Sequence, residues 1–351
     1  MSIVADNYTF VVGVDTHART HTYAILRNDG RLVDQRQFPT QPAGLARALD
    51  WIGRRCGGEI SGTLFSVEGT GSYGAQLAAA AAGHGYLVVE APFPARHGKG
   101  KTDALDAQRA ARGVLPLDTD QLRDHRRHNG PRDVMQALAV ARDHLQTRRT
   151  ATINVLTAHL RVHDLGLDVR RALTAAQIRT IAAWRPRHES PTLTALRQIA
   201  VDYARDILAL DTKLAANHRH LDQLTAEQAP ELRAINGVGP ITAAVVLAAW
   251  SHPGRVRNEA AFAMLAGVAP IPASSGNTQR HRLNRGGDRQ LNRYLHTMVS
   301  TRLSHKDPAT IAYYERRRLE NKPDKEIRRC LKRFIARQLY RTLTATQLDT
   351  A

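Results

Sequence analysis

Apolar positions between residues 9 and 91 switch repeatedly between a period of two and a period near 3.6. Thr9–Val14 is a β-branched run that predicts a strand, Thr22–Leu26 returns as its hairpin partner, and Arg31–Phe38 adds a third strand. In Pro42–Arg55, Leu45, Leu49 and Ile52 fall on one helical face. Thr63–Val67 predicts a strand, Tyr73–Ala82 a helix and Tyr86–Glu90 a strand. A further helix starts at Asp103 and runs to about Arg112, with Gly113 as its stop. Three early strands followed by alternating helices and strands predict an α/β sheet domain.

Residues 133–225 read differently, as long polar helices with few turn signals. Ser190 and Pro191 start one helix as N-cap and first helical residue. A heptad seam follows through Leu193, Leu196, Ala200, Tyr203, Ile207, Leu210, Leu214, Asn217, Leu221 and Leu224, its spacings alternating three and four. Asn217 is the polar member of the seam and a candidate for fixing its register. A looser seam of Val134, Leu138, Ala141, Leu145, Thr152 and Val155 precedes it. The two seams have two ways to pair, as a helical hairpin within one chain or between chains in a dimer or tetramer.

Charge sharpens the reading of the last third. The chain has a formal net charge of +18 and a pI near 10.7, which favours a polyanionic partner, nucleic acid first. Residues 280–341 hold 18 Lys or Arg against 6 Asp or Glu, with Tyr294, Tyr313, Tyr314 and Tyr340 among them. A basic tract with interleaved aromatics suits phosphate contact and base stacking. Cys56 and Cys330 are too few and too far apart for a disulfide framework or a zinc finger. The first residues lack the basic stretch of a signal peptide, and the apolar run Ile241–Trp250 is too short to cross a bilayer, so a soluble cytoplasmic protein without a membrane partner is expected.

Four acids stand where metal chemistry is plausible. Asp15 ends the first apolar strand, Glu68 ends Leu64–Val67, and Asp103 and Asp106 share one face of a helix. Each also has a purely local reading, as a turn cap, a polar strand end or a helix N-terminal acid. Taken jointly, two strand ends and a helical pair suit magnesium or manganese, hard cations that prefer oxygen ligands and serve phosphoryl transfer. The nearby stretch Ala95–Thr102 fits a relaxed phosphate-loop pattern. Its first position is Ala, and no apolar strand ending in Asp follows to supply a second magnesium ligand, so an ATPase is not expected. Arg96, Lys99 and Lys101 are instead candidates for DNA phosphate contact.

Val11-Val12-Gly13-Val14-Asp15, then Val67-Glu68, then Lys101-Thr102-Asp103-Ala104-Leu105-Asp106-Ala107 resemble the DEDD signature of an insertion-sequence transposase family. It is the family related to the Piv and MooV DNA invertases, which includes bridge-RNA-guided serine recombinases. The resemblance implies a RuvC-like, ribonuclease-H-type fold for residues 1–125, with Asp15, Glu68, Asp103 and Asp106 as ligands of Mg2+ or Mn2+. The heptad seam makes 126–228 a coiled-coil region, which matches the family only in kind, and the resemblance implies a mainly helical C-terminal transposase domain over 229–351. The chain departs from the family at Ala18-Arg19, where a Lys and an acid are expected.

In the C-terminal region, Asn236-Gly237-Val238-Gly239-Pro240 resembles a helix-hairpin-helix turn, in which Gly237 and Gly239 let the backbone approach a phosphate; a purely structural hairpin is the alternative. Further on come Pro270, Pro272, Ser274-Ser275-Gly276, and then Arg280, Arg282, Arg285, Arg289 and Arg293. By composition alone the serines are turn residues, although a serine among arginines has the chemistry to attack a phosphodiester. The same resemblance implies Ser275 as nucleophile, with Ser274 one position away as the alternative; Asn277-Thr278 replaces the family's frequent Gly-Lys. The expected function is a DNA recombinase working through a phosphoserine intermediate, with DNA, a structured guide RNA and further copies of itself as partners. The rivals are a metal-dependent junction-resolving endonuclease that uses water, and a non-catalytic DNA-binding regulator.

Overall fold

The computed structural model describes residues 2–92, 102–127, 130–273 and 281–346. It divides into two compact units, Met1–Asn129 with Trp250–Ala261, and Gly130–Ala249 with Phe262–Thr350.

In the first unit a short helix α1 (Val4–Asn7) precedes strands β1 (Phe10–Thr16), β2 (Thr20–Arg27) and β3 (Leu32–Pro39). Helix α2 (Pro42–Arg55), β4 (Thr63–Val67), α3 (Ala75–Gly83), β5 (Leu87–Glu90) and α4 (Asp103–Val114) follow. The sheet order is β3-β2-β1-β4-β5; β1, β2 and β3 pair antiparallel, whereas β4 and β5 run parallel to β1. Alternation along β1 sorts its residues between two cores. Val12 and Val14 pack with Leu45, Leu49 and Ile52 of α2 and Leu77 of α3, while Val11 packs with Ala107 and Ala111 of α4. Gly113 does not stop α4 as expected. It lies inside the helix, where a Cβ would come within 2.9 Å of Pro92 Cγ, and the helix continues to Val114.

Trp250–Ala261 is built into this unit from the far half of the chain. His252 is fully buried and its Nε2 lies 2.8 Å from Asp124 Oδ2. Arg255 donates to Glu90 Oε1 at 3.0 Å; Arg123 and Thr70 also donate to the Glu90 carboxylate. Burial raises the Glu90 pKa, but Arg255 and Arg123 outweigh it and hold the carboxyl below its usual range; His125 and His252 do the same for Asp124. Stability from these pairs is therefore present above the unfolded carboxyl pKa of about 4 and is lost as pH falls through the lower folded values. Arg255→Ala is expected to cost about 3 kcal/mol near neutral pH. In thermal unfolding the difference from the native chain should shrink once acid protonates Glu90.

The second unit opens with a helical hairpin, α5 (Pro131–Val162) against α7 (Pro191–Gln228), with the short α6 (Ala175–Ala182) packed on α7 near the tip. Ser190 caps α7 by accepting from the Leu193 N–H. Of the two pairings the sequence left open, the described chain contains the internal one. Ala200, Ile207, Leu210, Asn217 and Leu221 are buried, and Asn217 donates to Leu138 O at 2.9 Å and accepts from Arg142. Arg149 pairs with Asp211 and His159 with Leu196 O, which sets the two helices antiparallel. The looser seam is displaced by one residue: Met135, Ala139, Leu156 and Leu160 are buried, whereas Val134 and Val155 are exposed. The cause is Arg142 and Arg149, which α7 accepts into the interface through a carbonyl, an amide and a carboxylate.

The rest comprises α8 (Pro230–Arg233), α9 (Pro240–Trp250), α10 (Glu259–Leu265), a two-stranded ribbon of β6 (Ile271–Pro272) and β7 (His281–Arg282), then α11 (Arg289–Ser304), α12 (Pro308–Leu319) and α13 (Asp324–Ala345). Leu291, Leu295, Met298, Ile335 and Leu339 are among its buried apolar residues. Among the described residues no helix is long and apolar enough to cross a membrane.

Candidate active site

Strand register brings the first two acids together. Val14 is paired with Val67 in the parallel ladder, and the Glu68 N–H continues it by donating to Val14 O at 3.0 Å. Asp15 and Glu68 thus stand side by side, and Thr16 Oγ1 fixes the Glu68 carbonyl at 2.9 Å. Both acids follow the period that carries Val11, Gly13, Leu64 and Ser66, the face covered by α4.

Close approach of α4 brings the other two acids to the same face. Gly13 and Ser66 are neighbours in the ladder and present almost no side chain to the helix, whose contact face is Ala107, Ala110 and Ala111. Ser66 Oγ donates to Ala110 O at 2.7 Å. A Cβ on Gly13 would stand 2.0 Å from Ala107 O and 2.5 Å from Ala111 N, so only glycine fits. Thr102 caps the helix by accepting from the Leu105 N–H, which puts Asp103 and Asp106 in its first turn. Gly13→Ala should push α4 off the sheet and cost roughly 1–3 kcal/mol, the usual range for overpacking. A fall in melting temperature accompanied by loss of divalent-cation binding is the expected result; an unshifted melting temperature would refute this packing.

His17 completes the cluster. Its Nε2 lies 3.2 Å from Asp15 Oδ2 and 3.3 Å from Asp103 Oδ1, and Asp15, His17 and Asp103 each offer a ligand atom within 4.8 Å of the others. Burial pushes the Asp15 carboxyl above its ordinary pKa; Asp103 and Asp106 add to the rise and His17 opposes it. Glu68 is likewise raised by burial, then by the charges of Asp15 and Asp106 and a hydrogen bond with Asp15. Asp106 also accepts from Arg109 at 2.7 Å. Asp15, His17 and Asp103, with Glu68 hydrogen-bonded to Asp15 and Asp106 close enough to raise both carboxyls, form a donor set that fits a divalent cation with oxygen and nitrogen ligands.

The sequence singled out the four acids but gave His17 no role, although Asp15-Thr16-His17 has the alternate spacing that places two extended residues on one face. Arg255 and His252 had no signal, since they sit in a Ser-Pro-Gly-rich stretch that reads as a loop.

The C-terminal candidates belong to the second unit. Gly237 adopts φ +84°, and the adjacent Asn236 carbonyl accepts from Arg302 at 2.9 Å; a Cβ on Gly239 would meet nothing within 4 Å. Arg282 lies on β7; Arg285 and Arg289 are exposed. Arg293 is engaged by Asp143 of α5 at 2.5 and 2.6 Å, a structural use the sequence did not indicate. Tyr340 packs against Phe262. Arg96, Lys99, Lys101, Ser274, Ser275 and Arg280 lie outside the described residues.

Two family models match the chain. The IS110 DEDD model, described as a transposase, matches residues 12–163, a span that includes all four acids. A model described as the transposase IS116/IS110/IS902 family matches residues 229–315, which include Ser275 and the arginines that follow it. No curated protein matches the chain.

Proposed function

Since the chain belongs to the IS110 family of DEDD transposases, enzymes that cleave and rejoin DNA, we propose that it does so through a carboxylate-bound divalent cation and a covalent phosphoserine link. The observation that supports this reading is the Asp15, His17 and Asp103 cluster, whose ligand atoms lie within 4.8 Å of one another, with Glu68 hydrogen-bonded to Asp15 and Asp106 acting on both carboxyls. The sheet order, three antiparallel strands followed by two parallel ones, supports a RuvC-like, ribonuclease-H-type catalytic domain.

Asp15, Glu68, Asp103 and Asp106, with His17 beside them, would hold Mg2+ or Mn2+, and the bound cation would supply charge stabilisation at the scissile phosphate. The Ser275 hydroxyl attacks phosphorus as its proton passes to water, and the P–O bond to one deoxyribose breaks, that sugar oxygen leaving as a hydroxyl after taking up a proton. Guanidiniums such as Arg282 and Arg285 offset the charge that develops. A DNA hydroxyl later displaces the serine, so one P–O bond is exchanged for another and no ATP is consumed. The net charge of +18 supports DNA as substrate and a structured RNA as further partner.

Incubating the protein with end-labelled element DNA and magnesium, followed by denaturing electrophoresis, tests the reading. Label that migrates with the protein is expected. Free cut DNA alone would mean a water-using nuclease, and uncut DNA a binding regulator.

A further inference from the structure

We propose that the groove between the β6–β7 ribbon and the α12–α13 pair seats one unpaired nucleotide, its phosphate against Lys332, Arg329 and Arg282 and its base against Phe334. The inference rests on the family reading only in taking nucleic acid as the ligand; it requires neither the carboxylate cluster nor Ser275.

The groove has a volume of about 760 Å³, inside the roughly 300–1,000 Å³ range that suits a small ligand. Arg282, Lys322, Arg329, Lys332, Arg333 and Arg337 line it, and Glu326 is the only carboxylate among its lining residues. Glu326 faces Lys322 at 3.5 Å.

Lys332 is the telling residue. It is only 9% exposed, yet it has no carboxylate partner among the described residues; its Nζ donates to the Asn292 amide oxygen at 2.9 Å. The Asn292 nitrogen is itself committed to Ala266 O at 2.8 Å and Gly267 O at 3.2 Å, so the amide that holds the ammonium is fixed in orientation. Burial pushes the lysine's pKa down, and the neighbouring Arg329 adds to that. A buried cation without a counter-charge is costly. Arg282 and Arg329, which also line the groove, form no ion pair among the described residues. Among the described residues no anion pairs with Lys332, Arg282 or Arg329, and a phosphodiester supplies one with several acceptor oxygens.

The same groove contains an aromatic surface. Phe334 is 48% exposed on a helix otherwise rich in charge. Tyr313 meets it edge-on at a centroid distance of 5.2 Å, and Arg337 lies 6.0 Å from its ring centre, so the ring is held in place while half of it remains open. A base in a duplex is already stacked on both faces, so this ring selects for an unpaired one. The ribbon that carries Arg282 is joined through the segment containing Ser275, which ties the groove covalently to the proposed nucleophile.

The test is fluorescence anisotropy on the full chain in EDTA, with labelled single-stranded DNA, single-stranded RNA of the same sequence, and the matching DNA duplex. Phe334→Ala should weaken binding of a single strand by between about 5- and 150-fold, leave the salt slope unchanged and spare the duplex. Phe334→Trp should restore the affinity. Lys332→Met should reduce the salt slope on a single strand by about 0.7, the contribution of one phosphate contact, while the melting temperature holds or rises. The strand type that shows the Phe334 effect identifies the source of the nucleotide. The proposal is overturned if Phe334→Ala acts equally on duplex and single strands, if it acts on neither, or if Lys332→Met raises the melting temperature with affinity and slope unchanged. Because metal is absent, failure of the carboxylate chemistry would leave these measurements unaffected.

Discussion

Asp15→Asn, Glu68→Gln, Asp103→Asn and Asp106→Asn should each reduce DNA cleavage by roughly a thousandfold or more while leaving DNA binding largely intact, since each removes a charge proposed to bind metal with almost no change of shape. Thermal unfolding without substrate distinguishes this from a structural role. The Asp15 and Glu68 pKa values are raised in the folded chain, so their ionised forms cost stability above the unfolded carboxyl pKa of about 4, and the cost vanishes as acid protonates them. Without divalent cations, Asp15→Asn and Glu68→Gln should therefore melt higher than the native chain at neutral pH. Adding Mg2+ should reverse the order, stabilising the native chain by about 2.7 kcal/mol at a hundredfold excess over Kd and the variants by much less. Full cleavage by any two of the four variants would show the assignment to be wrong.

Loss of the Ser275 hydroxyl is the second large effect. Ser275→Ala should abolish both strand exchange and the covalent protein–DNA link, because no other oxygen at that position can hold the phosphate between cleavage and rejoining. Folding and DNA affinity should be unchanged. Ser275→Cys is expected to retain a trace of activity, since a thiol is nucleophilic but a poor partner for a hard cation. If Ser275→Ala remains active while Ser274→Ala is dead, the nucleophile is the neighbouring serine. Normal cutting by both single variants and the double variant would establish a water-using nuclease.

The parts of this chain legible in its sequence are those where local pattern and tertiary packing agree. Pro42–Arg55 and Thr63–Val67 run over the residues expected, because one buries a single stripe and the other is buried on both faces. The nearness of Asp15 to Asp103 was legible because a strand end and a helix first turn are local features that the packing of α4 on the sheet then brings together. Legibility fails where a distant partner decides. Gly113 reads as a helix stop, whereas its missing Cβ instead makes room for Pro92, and the α5 seam reads one residue early because Asn217 and Asp211 make its arginines acceptable in the interface. Phe334 carries no local signal of its own in the sequence, and only the groove in which it lies gives it meaning.

The strap Trp250–Ala261 bears on how such a protein can be divided and recombined. A gene fragment ending at Asn129 would encode every carboxylate of the cluster and still not encode their folding unit, for it would lack the Arg255 that meets Glu90 and the His252 that meets Asp124. A chimera that grafts these first residues onto the C-terminal half of a relative inherits those two contacts only if the relative supplies them. Positions 90 and 255, far apart in the gene, thus form one ion pair, and residues 1–129 are not an interchangeable cassette.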